Sequence, residues 1–474
     1  MLTPMWKTGL WRNSPNCRIL SPSRSSNSDR IPERMLTGRW KKTLTPRGCI
    51  TLHPEAAGRK RAIEAAFIEL TERWGYSEVV TPIFEFIDVI SPAVGEDLLE
   101  RGYKITDRQS GRVMIIRPDV TPQIGRLAAT TLRNKRPLRL SYSLNIFRYD
   151  NSSGGRQQEL FQSGAELIGI SEPEGDAEVL ALLIEILEQL KINGFIITLN
   201  NRNFLNGLFE EHSRPDMKDT LREIFLQKDL PELKTLLKIG MISKKEYQVY
   251  SHTMFLYGGE EILTKGLELS DSPVVHESIE NIRAILGFMK ELGYSEKIRI
   301  DLSEARGFDY HTGVFFDVIS SENGEIIGSG GRYDAMIRQF GSDTPATGFS
   351  LNLNQIMSLS SLERCTLPRV LISDISGDKR YAFTVSQKLR KAGLSAIREV
   401  VKREFQQTLE FARSEGIDYI LRIEGTKRTK DFLLHVLCEK EDSEVVSLIK
   451  RSINRKKPLK ILRHESVNGA NRKK

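Results

Sequence analysis

One stretch constrains the fold more than any other: residues 137–170, "PLRLSYSLNIFRYDNSSGGRQQELFQSGAELIGI". Two runs rich in β-formers flank the polar tip Asn151–Gly155. That pattern predicts a long antiparallel hairpin, with alternate residues of each strand on opposite faces of a sheet.

The rest of the chain reads around that hairpin. In "GRKRAIEAAFIELTERWG", Ile63, Phe67, Leu70 and Trp74 recur at helical spacing, and Gly75 supplies a stop. "YSEVVTPIFE" reads as a strand interrupted at Pro82. "RVMIIRPDVTPQIGRLAATTL" reads as a strand, a turn at Pro118 and a helix opening at Thr121-Pro122. "EGDAEVLALLIEILEQLKING" reads as an amphipathic helix ending at Gly194. Residues 200–272 hold short helical pieces without a strand signal, which predicts a helical insertion. "KIRIDLSEARGFDYHTGVFFDVIS" returns to strands. "GSGGRYD" (Gly328 to Asp334) reads as a glycine-rich turn, and "TGFSLNLNQI" (Thr347 to Ile356) as the helix that leaves it. After Pro368, strand–helix alternation predicts a small, mainly parallel α/β domain.

Length allows two or three domains, and no run of eighteen apolar residues exists to span a membrane. The net charge of +8 is uneven. Residues 1–45 carry nine Lys/Arg against two Asp/Glu, residues 450–474 carry ten against one, and the body between them is therefore at −8. The expected organisation is a basic, disordered or non-native extension over 1–45, with Met35 as the true start, a core over 46–366, an α/β domain over 367–440 and a basic tail over 441–474. Basic ends on an acidic body do not make the field of a nucleic-acid binder. Cys17, Cys49, Cys365 and Cys438 are scattered, which excludes a disulfide framework and a zinc site and fits the reducing cytoplasm.

The residues able to carry chemistry form a set. Arg117, Asp119 and Thr121 follow a strand; Arg148 and Arg156 flank the polar tip; Gln162 and Glu166 share one face of the second hairpin strand. Arg306 and Tyr310 lie in "EARGFDYHTG", with His311 beside them, and Tyr333 follows the glycines. Singly, each is as consistent with a surface charge or a sheet-edge tyrosine. Together they suit a small zwitterion: arginine for a carboxylate, Asp and Thr for an ammonium, Glu166 with tyrosine hydroxyls for an imidazole.

"YSEVVTPIFE", "FRYDNSSGGRQQELFQSGAELIG", "ARGFDYHTG" and "GSGGRYD…ATGFSLNLNQI" resemble, in order, the signature motifs of the histidyl-tRNA synthetase core. The resemblance implies an α+β fold: a class II aminoacyl-tRNA synthetase-like antiparallel sheet flanked by helices, with a helical insertion and a C-terminal domain similar to an anticodon-binding domain. It also implies a histidine-like cleft formed by Asp119, Thr121, Arg148, Gln162, Glu166, Arg306, Tyr310 and Tyr333. Two families share this core, the synthetase and the regulatory subunit of ATP phosphoribosyltransferase. The synthetase's third motif carries a nucleotide-binding arginine where this chain has Gln355, preceded by Asn354 in place of an acid. Preorganised cations are a major source of transition-state stabilisation, and losing one costs roughly two to three orders of magnitude in rate. "RPDVTP" is similar to the regulatory version of a motif that reads Glu-Gly-Thr in the synthetase.

The resemblance to the regulatory family therefore implies a non-catalytic protein without cofactor or metal. Its partner would be a short-form ATP phosphoribosyltransferase catalytic subunit, its effector histidine, and its assembly a homodimer within a hetero-oligomer, with no membrane or tRNA partner. Many members of that family lack the anticodon-binding-like domain, which leaves an active histidine–tRNA ligase, or an RNA-binding paralogue, as alternatives.

Overall fold

The computed structural model describes residues 18–19, 45–46, 48–149, 157–212, 215–305, 311–362, 365–425, 430–437, 443–453 and 459–463. The chain forms two compact units that part at Leu362/Glu363. A short pair, Arg18–Ile19 (β1) with Cys365–Thr366 (β14), is antiparallel.

The first unit is built on nine strands: Ser77–Glu78 (β2), Leu138–Phe147 (β6), Glu159–Ile168 (β7), Phe195–Asn201 (β8), Tyr257–Gly258 (β9), Ile298–Asp301 (β10), Val314–Ser320 (β11), Ile326–Arg332 (β12) and Ala346–Asn352 (β13). Their order is β2-β6-β7-β13-β12-β11-β8-β10-β9. All pairings are antiparallel except β2 with β6 and β8 with β10. The long hairpin is β6 and β7, paired over ten residues from Leu138↔Ile168 to Phe147↔Glu159. A separate antiparallel sheet holds Phe84–Phe86 (β3), Lys104–Thr106 (β4) and Val113–Ile116 (β5), in the order β3-β5-β4. Pro82 thus divides "YSEVVTPIFE" between two sheets, since it lacks the N–H that a continuous ladder needs.

Alternation along β7 sorts its residues onto two faces. Phe161, Ala165 and Leu167 join the core that contains the helices Pro54–Arg73 and Pro173–Gln189. Leu160 and Ile168 lie in a second cluster with Ile124 of the helix Thr121–Ala129 and Met336 of the helix Asp334–Arg338. That second face carries Gln162, Gly164 and Glu166.

Several sequence expectations need correction. The 173–189 helix is buried around most of its surface, with Val179 to Leu187 almost continuously inaccessible, so it is a core helix rather than an amphipathic one. It ends at Gln189, and Gly194 serves a turn further on with φ +92°. The 200–272 insertion is helical from Arg202 to Leu267 but contains β9, which pairs with β10 at the sheet edge. "GSGGRYD" is no turn. Its glycines lie in β12, where a Cβ at Gly330 would collide with the Gly348 carbonyl and Phe316, so they permit close strand packing. "TGFSLNLNQI" is strand as far as Asn352, and the helix Leu353–Leu359 follows.

The second unit has the order β16-β15-β17-β18-β19, from Arg369–Asp374 (β15), Ser395–Arg398 (β16), Tyr419–Gly425 (β17), Lys430–Val436 (β18) and Leu459–Arg463 (β19). Only β17–β18 is antiparallel. The expected tail over 441–474 is corrected in part. A helix Ser443–Ser452 buries Val445, Val446 and Ile449, and β19 adds a parallel strand to β18. Residues 363–474 carry 26 Lys/Arg against 15 Asp/Glu, so positive charge belongs to this folded unit as well as to its end. Apart from β1, the extension 1–44 lies outside the described residues.

Candidate functional site

Pro118 and Pro122 frame a tight turn between β5 and the helix Thr121–Ala129. Asp119 stabilises that turn: its Oδ1 accepts the Thr121 backbone N–H at 3.0 Å. The turn sets the Thr121 hydroxyl against β7, where it donates to Glu166 Oε1 at 2.9 Å. From the end of β12, the Tyr333 hydroxyl donates to Glu166 Oε2 at 2.5 Å. Opposite Glu166 stands Gly348, where any Cβ would collide with Glu166 Oε2. The carboxyl is therefore walled in and is 1 % exposed. Burial pushes its pKa up from 4.5 to about 8, against the lowering influence of the Tyr333 and Thr121 hydrogen bonds and with Asp119 adding to the rise.

A second group adjoins the first through Asp119. Its Oδ2 accepts from Gln162 Nε2 at 3.4 Å and lies 3.7 Å from Arg148 Nη1. Arg148 Nη1 also reaches the Pro118 carbonyl at 3.4 Å. Gln162 is 6 % exposed, and its Oε1 is buried without a partner. Arg148 and Gln162 line a cavity of about 500 Å³ together with Gln355, Asn352, Ser350 and Glu325, Asn352 being the cross-strand neighbour of Gln162. Gln355 donates from Nε2 to Glu325 Oε2 at 3.2 Å. Arg148 is the one cation among the described residues that line this cavity.

The structure therefore brings together Asp119, Thr121, Arg148, Gln162, Glu166 and Tyr333, and puts Gln355 on the lining of the same cavity as Arg148. Arg306, Tyr310 and Arg156 lie outside the described residues. Arg117 does something other than the charge pattern suggested. It is 5 % exposed and donates to the backbone carbonyls of Asn145 (2.6 Å) and Thr81 (2.8 Å), so it ties β6 to the connection between β2 and β3. Asn354 likewise caps a strand, accepting the Phe161 N–H at 2.7 Å, and it does not line the cavity. His311 is buried, stacked on Phe315 with ring centres 5.6 Å apart, and its carbonyl accepts from Arg202. Glu325 and Gly348 went unread in the sequence. "SENGEII" looks like any solvated hairpin turn, and the need for glycine opposite Glu166 emerges only from strand register.

With this geometry in view, the similarities to known proteins are informative. A model of the histidyl-tRNA synthetase family matches residues 48–356. An ATP phosphoribosyltransferase regulatory subunit from Geobacter sulfurreducens is 33% identical over 386 residues, covering 80% of this chain and 88% of its own length. The chain belongs to the histidyl-tRNA synthetase-like family of ATP phosphoribosyltransferase regulatory subunits. A histidine–tRNA ligase from Methanocaldococcus jannaschii is 32% identical over 402 residues, 82% of this chain and 95% of the ligase.

Among solved structures, a protein from Bacillus halodurans described as an ATP phosphoribosyltransferase regulatory subunit/histidyl-tRNA synthetase superposes with a TM-score of 0.71 at 24% identity. That match covers 80% of this chain and 97% of the other. A histidyl-tRNA synthetase from Nostoc superposes with a TM-score of 0.69 at 20% identity, over 86% and 99% of the two chains. These superpositions show the class II synthetase-like fold. In this chain that fold carries an enclosed carboxyl, Glu166, and a neutral glutamine, Gln355, on the cavity lining. No helix of the described residues is long and apolar enough to cross a membrane.

Proposed function

We propose that this chain is a non-catalytic regulatory subunit of ATP phosphoribosyltransferase. It binds histidine in the cleft around Glu166 and transmits that binding to a short-form catalytic subunit at the first step of histidine biosynthesis. The observation that supports this most directly is the contrast within one cleft. The amino-acid end keeps Asp119, Thr121, Arg148, Gln162, Glu166 and Tyr333 in mutual contact, with Arg306 and Tyr310 assigned to the same site from the motif. At the nucleotide end, the position of the synthetase's arginine is held by Gln355, bonded to Glu325. An amide paired with a carboxylate offers no charge to a triphosphate whose negative charge must be stabilised as it reacts.

In this reading, Arg148 and Arg306 take the histidine carboxylate, Asp119 and Thr121 the ammonium, and Glu166 with the tyrosines the imidazole. Feedback requires histidine to bind one state of a hetro-oligomer more tightly than another, because differential affinity alone shifts an equilibrium. The chain acts as a homodimer within that assembly, in the cytoplasm, without tRNA.

Reconstitution tests the reading. Purified chain is added to a short-form catalytic subunit, and phosphoribosyl transfer to ATP is followed with and without histidine. The expected result is activity that requires this chain and that histidine suppresses. A catalytic subunit indifferent to the chain would contradict it.

A further inference from the structure

Tyr333 closes the Glu166 site from a point where the chain changes direction, between the end of β12 and the helix Asp334–Arg338. Both of its neighbours in sequence are tied down. Arg332 lies opposite Thr347, and Thr347 opposite Leu167, whose side chain joins the core that contains the helix Pro173–Gln189. Arg332 therefore projects from the face of the sheet opposite to the one that carries Glu166. There its Nη2 donates to Asp176 Oδ2 at 2.9 Å, and its Nε to the same oxygen at 3.3 Å. Its Nη1 donates to the Ile170 carbonyl at 3.0 Å and lies 3.6 Å from Asp334 Oδ1.

Asp334 is fixed in turn. Its Oδ1 accepts the Ala346 N–H at 2.8 Å, and its own N–H donates to the Thr312 hydroxyl at 3.0 Å. The Arg332 carbonyl accepts the Thr312 N–H at 2.8 Å. Asp176 and Arg332 are both buried. Such a pair loses more hydration than apolar residues of the same volume, which often give equal or greater stability. What the pair supplies is direction, because a guanidinium holds its donors in one rigid plane. Here that plane joins the helix Pro173–Gln189, the Ile170 carbonyl beyond β7 and the end of β12. The Tyr333–Glu166 bond is short and enclosed, and a displacement of about 0.5 Å at the end of β12 is enough to spoil it.

We propose that Asp176 and Arg332 are positioning residues for the cleft: from behind the sheet they fix Tyr333, and through Tyr333 the hydrogen bond that holds the Glu166 carboxyl. This inference rests on reading the cleft as a histidine site. Neither residue touches the ligand, so their effect on binding passes through Tyr333.

A double-mutant cycle on the full chain tests it. Titration calorimetry with L-histidine compares wild type, Asp176→Asn, Tyr333→Phe and the two together, across pH. Loss of the Tyr333 bond raises the Glu166 pKa further, which moves to higher pH the range in which histidine binding releases a proton. Asp119 and Tyr76, the other ionisable groups that act on this carboxyl, are present in every variant. The control is Glu178→Gln, which breaks an ion pair with Arg139 on the same helix, away from β12.

The expected result is that D176N weakens histidine binding by about two- to tenfold, the worth of one hydrogen bond, and moves proton release to higher pH. In the Y333F background D176N should change neither quantity further. E178Q should lower the melting temperature alone. R332K, which keeps the charge and loses the fork, should act as D176N does, and it carries the test if D176N does not fold. Affinity and proton release unmoved by D176N or R332K, an undiminished effect in the Y333F background, or the same effect from E178Q would overturn the inference and leave the histidine reading standing. A wild-type chain that takes no histidine would remove that reading instead. The difference in urea midpoint between chains with and without E166Q, followed against pH with and without D176N, then decides the positioning role by itself. A profile moved to higher pH by D176N supports it, and an unchanged profile overturns it.

Discussion

Two ends of one sheet face, about equally polar in sequence, are built in opposite ways. At the Glu166 end every carboxyl oxygen meets a hydroxyl, a glycine gives the group room, and solvent is excluded. At the Gln355 end the side chain sits on the surface of a helix, half-exposed, with an exposed glutamate for company. The first arrangement is tied to the packing of four elements and cannot change without disturbing the fold. The second depends on a side chain that the fold does not need. A cleft of this kind can lose its capacity to activate a ligand and keep its capacity to hold one.

The largest effect that would sharpen this contrast is steric. Gly348→Ala drives a methyl group into the Glu166 carboxyl. Overpacking in a tight core costs about 1–3 kcal/mol, so a clear fall in melting temperature together with loss of histidine binding is expected. Ser350→Ala, two residues along the same strand and on the cavity lining, should change stability by no more than about 0.5 kcal/mol. Equal effects at the two positions would erase the distinction.

Glu166→Gln comes next and acts on binding through charge. A hydrogen bond from a neutral imidazole to a charged carboxylate is worth about 1.5–3 kcal/mol, or roughly 10- to 150-fold in affinity. Titration gives it a signature. The free chain holds Glu166 protonated below about pH 8, so a ligand donating to the carboxylate expels that proton. Histidine binding at pH 7 should release close to one proton, read from calorimetry in buffers of different ionisation enthalpy, and E166Q should abolish the release. Stability follows the same linkage. The folded pKa of about 8 lies above the ordinary 4.5, so the contribution from Glu166 is fully present below pH 4.5 and is lost as pH rises through about 8. The difference between wild type and E166Q in urea midpoint against pH should show that decline. A flat difference would place the carboxyl in water.

The smallest effect is expected from Tyr333→Phe, which removes one hydrogen bond worth about 1 kcal/mol or somewhat more. Because that bond lowers the Glu166 pKa, its loss should move the proton-release window to higher pH. A shift to lower pH would show that Tyr333 does not donate to the carboxylate.

Much of this was legible in the sequence because it is local. The 54–73 helix follows from Ile63, Phe67 and Leu70, and the β6–β7 hairpin from two β-rich runs about a polar tip. Gln162 and Glu166 were placed on a shared face by alternation alone. What stayed hidden depends on distant neighbours. The β12 glycines look like a turn until β11 and β13 close in on them. Arg117 looks like a ligand-binding cation until its guanidinium is seen to hold the Thr81 and Asn145 carbonyls. The helix 443–452 was hidden by the basic run that ends and follows it, although Val445, Val446 and Ile449 already mark one buried face. Glu325 gave no signal, because only strand pairing brings its turn beside Gln355.

The central claim is that the cleft holds histidine but does not energise it. Histidine-dependent exchange of pyrophosphate into ATP, measured on the purified chain under conditions where calorimetry shows histidine bound, tests this most directly. The expected result is exchange at the background rate of a histidine-free control. Sustained, histidine-dependent exchange would contradict it, and would mean that Gln355 does not disable the nucleotide end.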